Sequence, residues 1–210
     1  MSRKECKSRR NAVERNDGKY LPATRHQTES RRWNRRELGQ GVVKHFVYLR
    51  VKPATGKITT ARILEKELGW KLFWFHDLKN AVYGIVKEHR IPRLMDELTN
   101  PVITYLLERG DDVIYVRPSP DKETVEAVHA TLRAHPDYKL HVIRLEASYD
   151  MLLERAQQRD DPFRISNKTD LDEYIQSRQV VDVDGEHIIM TDGLSPEAIA
   201  TKIRTIIEEK

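Results

Sequence analysis

The chain has 210 residues, 39% of them hydrophobic, with 37 Lys/Arg against 33 Asp/Glu and a single cysteine. That length accommodates one sizeable α/β domain plus a tail, and the lone Cys6 excludes an intramolecular disulfide and a cysteine-rich zinc site. No apolar run approaches the ~18 residues needed to span a membrane, and Met1-Ser2-Arg3-Lys4 leads into no hydrophobic segment, so neither a membrane span nor a secretory signal is expected and a reducing, cytoplasmic setting is.

The charge is divided along the chain. Residues 1–45 carry 13 Lys/Arg and 5 Asp/Glu, whereas residues 46–210 carry 24 and 28. The excess basicity therefore lies in the tail, which argues against a nucleic-acid surface spread over the rest. Residues 1–44 lack sustained apolar periodicity and read as a disordered, solvated arm. Their basic clusters, Lys7-Ser8-Arg9-Arg10 and Arg31-Arg32-Trp33-Asn34-Arg35-Arg36, also suit an RNA or DNA contact, with Trp33 stacking on a base and the arginines on phosphates. A localisation signal would look the same.

From His45 the pattern changes to strands alternating with helices. His45 to Val51 is apolar on both faces and predicts a central strand. A tight loop, Lys52 to Thr55, leads to an amphipathic helix opening at Gly56-Lys57 and stopping at Gly69, which suits a C-cap. Lys71 to Phe75 predicts a second strand. His76-Asp77-Leu78-Lys79-Asn80 follows at its carboxyl end and starts a helix running to about His89. Ligands of open α/β sheets bind outside the carboxyl ends of strands, which places His76, Asp77 and Asn80 on the functional rim. Asp77 is read equally well as a helix cap. A helix over 92–109 stops at Gly110, and a third strand over 112–116 ends at Arg117-Pro118. Arg117 is either a surface arginine before a turn or a contact for an anionic acceptor. A helix over 124–134, a fourth strand over 140–145 and a helix capped by Ser148 come next. Arg155 and Arg159 stand four apart, hence on one helical face, with Glu154 and Asp160 as available partners. A polar stretch containing Arg164 precedes a helix over 170–178. A fifth strand over 187–190 turns through Thr191-Asp192-Gly193-Leu194 into a last helix with Ser195 as N-cap and Pro196 at its first position. Five strands alternating with helices imply a parallel sheet with right-handed crossovers.

The stretch from Val47 to Leu64 resembles the phosphate-binding loop G-x-x-x-x-G-K-[ST] of P-loop kinases, in which backbone N–H groups and a helix N-terminus cradle phosphate and the lysine adds a point charge. Gly56 and Lys57 match. Val51 stands at the first glycine, Ala54 where many such kinases carry another glycine, and Ile58 at the metal-binding hydroxyl, followed by Thr59. With Lys71-Leu72-Phe73-Trp74-Phe75-His76-Asp77, the likeness is to nucleoside-monophosphate and shikimate kinases and covers residues 45–210. The resemblance implies a three-layer α/β fold with strand order 2-3-1-4-5 and helices on both faces, and a lid around residues 155–178. It implies ATP and Mg²⁺ as cofactors, with Thr55, Gly56, Lys57, Ile58 and Thr59 forming the nucleotide site and Thr59 as a metal contact. Lys57, Asp77, Arg155 and Arg159 would be catalytic, with Asp77 orienting an acceptor hydroxyl and the arginines closing over the transferring group. His76, Asn80, Arg117 and Arg164 would touch the acceptor, and the turn after the fifth strand would lie beside the base. NTP hydrolases often anchor Mg²⁺ through a carboxylate at the end of the third strand. Here Asp111 and Asp112 lie at the other end. The expected activity is phosphoryl transfer to a nucleotide, another small hydroxyl compound or a nucleic-acid 5′ end. The alternative is a catalytically weak nucleotide-fold protein that binds or scaffolds, anchored by its arm.

Overall fold

In the computed structural model the described residues are 43–85, 91–118, 122–158, 165–177 and 180–209. The expected basic arm thus lies, but for its last two residues, outside them. The elements run β1 (Lys44–Val51), α1 (Lys57–Leu68), β2 (Lys71–Trp74), α2 (Phe75–Ile85), α3 (Ile91–Glu108), β3 (Val113–Pro118), α4 (Lys122–Arg133), β4 (Tyr138–Glu146), α5 (Tyr149–Gln157), α6 (Lys168–Ser177), β5 (His187–Met190) and α7 (Pro196–Glu208). The five strands form one sheet of order β2-β3-β1-β4-β5, and every neighbouring pair is parallel. The expected architecture is therefore present.

The alternation of side chains along β1 decides what each face holds. Val47 and Leu49 point to one side. There they join Ile114, Val116, Ile143, Leu145 and Ile189, and are covered by Ala61 and Leu64 of α1 and Ile199, Ala200, Ile203 and Ile207 of α7. Phe46 and Tyr48 point to the other side, with Val113 and Tyr115 under Ile103 and Leu107 of α3 and Val125, Val128 and Leu132 of α4. Both faces are buried, so β1 is apolar throughout its middle, as parallel strands under helices require. Gly69 closes α1 at φ 69°, donating its N–H to Glu65 O at 2.9 Å. β2 and β5, four residues each, are the two edges of the sheet.

Arg50 interrupts the apolar series. Its guanidinium is wholly buried and donates to Glu186 Oε1 at 2.6 Å and to the Val181 carbonyl at 2.7 Å. Glu186, 3% exposed, also pairs with Arg144 of β4 at 3.3 Å, and Arg144 reaches Glu146 at 3.1 Å and Asp182 at 2.8 Å. These bonds hold the irregular segment 180–186 against the sheet, where Val183 adds apolar contact with the second core face. Removing one partner of a buried pair leaves an uncompensated charge, at a cost of about 3–5 kcal/mol. We expect Glu186→Ala to lower unfolding stability by about that amount, and Asp182→Ala, whose carboxylate is 90% exposed, to leave it nearly unchanged. The midpoints of urea unfolding curves measure both.

At the amino end of the sheet, His45 Nδ1 lies 3.0 Å from His141 Nε2, and the His45 ring stacks on Trp70 at 5.4 Å. One proton serves that contact. Burial, together with the neighbouring His45, Lys139 and His187, pushes the His141 imidazole down to about 4, and burial lowers His45 as well. A base whose folded-state pKa is depressed stabilises the fold fully above its unfolded value and loses that contribution as pH falls toward the folded one. Stability should therefore decline between about pH 6.5 and 4, and His141→Phe should flatten that decline. Urea midpoints taken across this range would contradict the expectation if the two proteins ran parallel.

Candidate functional site

The carboxyl end of β1 emits the loop 52–56. Val51, at the position of the first glycine, remains in the strand, paired with Pro118 and Leu145, and its extended backbone carries no strain for a β-branched residue. The strained position in the loop is Ala54, whose φ of 64° is the one positive value among the described non-glycine residues. Gly56 follows at φ 82° as the N-cap residue of α1, a conformation that a side chain would disfavour. Thr55 is buried, and its hydroxyl donates to Lys52 O at 3.2 Å. Lys57 Nζ turns back over the loop and donates to the same carbonyl at 3.4 Å. The loop thus turns back on itself with the lysine folded over it, just where the first N–H groups of α1 have no intrahelical acceptor. That arrangement suits an anion. Ile58 is half-buried and Thr59 exposed.

Ala54 has a reason to be more than glycine. Its methyl group is 1% exposed and packs with Leu152 and Ala156 of α5 and Leu171 of α6. Left-handed backbone costs alanine ~1–2 kcal/mol. Burying a methyl returns ~0.8 kcal/mol, and avoiding glycine's chain entropy returns ~0.5–1 kcal/mol. The terms nearly cancel. Ala54→Gly should change stability by less than ~1 kcal/mol, whereas Ala54→Val, branched at a left-handed position, should lose ~1–3 kcal/mol. Denaturant unfolding of the two variants checks this, and a glycine variant weakened as much as the valine one would show the methyl contact to be dominant.

On the neighbouring strands the rim differs in detail from its sequence reading. β2 ends at Trp74 and α2 starts at once with Phe75, so Asp77 is not a cap; it lies exposed in the first turn of α2, where a carboxylate complements the helix dipole. Asn80, one turn on, is also exposed, and His76 is half-buried with its ring 5.4 Å from Trp74. Arg117 is not a surface arginine before a turn. It belongs to β3, is 9% exposed, pairs with Asp96 of α3 and lies with its guanidinium carbon 4.4 Å from the centre of the Phe75 ring. The strand register sets Arg117, Arg50 and Arg144 side by side on β3, β1 and β4, one residue below the loop.

Across the site, Arg155 is not a merely solvated helix residue. It donates from Nη1 to Thr191 Oγ1 at 3.0 Å and from Nη2 to Thr191 O at 2.8 Å. Asp192 accepts twice from the Ser148 N–H, at 3.0 and 3.1 Å. The turn after β5 is therefore fastened to both ends of α5. Arg159 and Arg164 lie outside the described residues, as does part of the expected lid. The structure brings together Thr55, Gly56, Lys57, Ile58 and Thr59 on one loop and helix start. His76, Asp77 and Asn80 share the start of α2, and Arg117 meets that element through Phe75. Sequence reasoning missed Asp96, the bonds that tie Thr191 and Asp192 to Arg155 and Ser148, and the Arg50–Glu186–Arg144 network. An arginine inside each of three apolar strands was the available signal for the last.

No protein-family model matches the chain. Among curated proteins it is 27% identical over 146 residues to the isocitrate dehydrogenase kinase/phosphatase of Polaromonas sp. (strain JS666 / ATCC BAA-500), a match covering 62% of this chain and 22% of that protein, so the chain spans about a fifth of that relative. Solved structures agree over far more of their length. A sugar kinase from Janibacter sp. HTCC2649 superposes with a TM-score of 0.60 at 14% identity, over 79% of this chain and 95% of that one. Shikimate kinase from Acinetobacter baumannii, in complex with shikimate, gives 0.55 at 15% over 80% and 94%. A gluconokinase from Sinorhizobium meliloti 1021 gives 0.53 at 11% over 79% and 96%. The fold is that of the P-loop kinase-like proteins. No helix among the described residues is long and apolar enough to cross a membrane.

Proposed function

We propose that this protein binds the polyphosphate of a nucleoside triphosphate, ATP in the first instance, on the loop 52–56 and the first turn of α1 and transfers a phosphoryl group to a small hydroxyl compound. The observation that carries the reading is the loop itself: Gly56 at φ 82° capping α1, with Lys57 folded back over it. Phosphoryl transfer asks mainly for positioning and charge stabilisation. Lys57 and the N–H groups at the start of α1 hold the phosphates. Asp77, exposed on the rim, accepts or orients the acceptor hydroxyl, and His76, Asn80 and Arg117 line its approach, the last suiting an acceptor that carries an anionic group. Arg155, already fixed on Thr191, presents a charge from the α5 side, and Arg159 and Arg164 belong to the same proposal. The acceptor classes remain nucleotides, other small hydroxyl compounds and nucleic-acid 5′ ends, and RNA or DNA contact through residues 1–44 stays a proposal of composition.

A second reading, a nucleotide-binding module without turnover, is favoured by the loss of the hydroxyl at Ile58. The two separate in one experiment, release and transfer of labelled γ-phosphate over a panel of nucleosides, sugars, shikimate-type alcohols and 5′-hydroxyl oligonucleotides. Transfer to one acceptor class is the expected result; binding without any transfer supports the module. Lys57→Ala removes a charge-assisted contact worth ~1.5–3 kcal/mol, so calorimetry should show nucleotide affinity falling by roughly 10- to 150-fold. Equal affinity in wild type and variant would displace the site from this loop.

A further inference from the structure

Loops of this kind in P-loop NTPases hold Mg²⁺ through the Ser/Thr that follows the lysine and through a carboxylate on a neighbouring strand. The donor set here does not fit that ion. The residue after Lys57 is Ile58, half-buried and without a donor atom, and Thr59 beyond it is exposed. The carboxyl end of β3 carries Arg117, not an acid. The acids flanking that strand are at its amino end and engaged there: Asp112 Oδ1 accepts the His45 N–H at 2.7 Å, and Asp111 pairs with Arg109 at 3.0 Å. Asp96, the carboxylate beside Arg117, is already bound to it. Among the described residues no group of three or more His, Cys, Asp or Glu is gathered to hold a metal ion.

The replacement is also electrostatic. Arg117 is a fixed cation, buried to nine-tenths and oriented by Asp96 and by the face of Phe75. It occupies the strand end at which a metal's charge would otherwise be fastened. A cation there repels a divalent ion and attracts an anion.

We infer that the loop takes its polyphosphate without a protein-held divalent cation, the positive charge at the phosphates being that of Lys57. This inference rests on the phosphate-loop reading, and the two fail differently. The test is calorimetric titration of the full chain with ATP, once in excess MgCl₂ and once in EDTA. The dissociation constants should agree within about threefold, or favour EDTA, where ATP keeps its full charge. Affinity more than tenfold tighter with Mg²⁺ overturns the inference and leaves the loop assignment standing. Absence of binding in both buffers overturns the loop assignment itself. A second measurement uses Ile58→Ser, which returns the hydroxyl at a half-buried position. That variant should bind ATP at least about fivefold more tightly in Mg²⁺ than in EDTA. A ratio the same as that of wild type would show that residue 58 does not face the phosphates, and would overturn the account of why the metal is dispensable.

Discussion

A full positive charge buried in the central strand is the constraint around which this fold is arranged. Arg50 has no access to solvent, and an ion in that setting is tolerable only when paired and hydrogen-bonded. Its carboxylate partner cannot come from the flanking strands, since β3 and β4 present Arg117 and Arg144 at the same level. It comes from Glu186, just before β5, and the Val181 carbonyl takes a further N–H. The chain between α6 and β5 is thereby drawn under β1 and β4. The charge thus fixes the path of a segment that contains no regular structure.

The same principle runs through the rim. Where a cation stands at the carboxyl-end side of the sheet, a second group holds it in one place: Asp96 and Phe75 for Arg117, Thr191 for Arg155, the Lys52 carbonyl for Lys57. Fixed donors cost little reorganisation when an anion arrives. Ala54 adds an apolar counterpart, since its buried methyl joins the loop to α5 and α6. A loop of ordinary glycines would lack that attachment.

Much of this architecture was legible in the sequence. The strands showed because apolar runs of β-branched and aromatic residues are separated by capped amphipathic helices, and Gly69, Ser148 and Ser195 mark their ends as local chemistry dictates. The strand order was legible only through resemblance, because period and polarity carry no information about which strands are neighbours. The site was half legible. Gly56-Lys57 announces itself locally. Whether Val51 would be strained was open, because the sequence shows which glycines are missing and not where the chain must turn. Asp77 was open to a cap reading because a helix that begins without an intervening loop leaves no signature. The partners of Arg50, Arg117 and Arg155 were invisible, since long-range pairing is decided by register and crossover path.

The Arg50–Glu186 bond has a further consequence, in the order of synthesis. The two residues are 136 positions apart. At ~5–20 residues per second, the arginine is made roughly 7–27 s before its carboxylate exists. During that interval β1 cannot be buried as it is in the finished sheet without stranding a bare charge. Burial of Arg50 as it stands in the finished sheet therefore waits until residue 186 has been made.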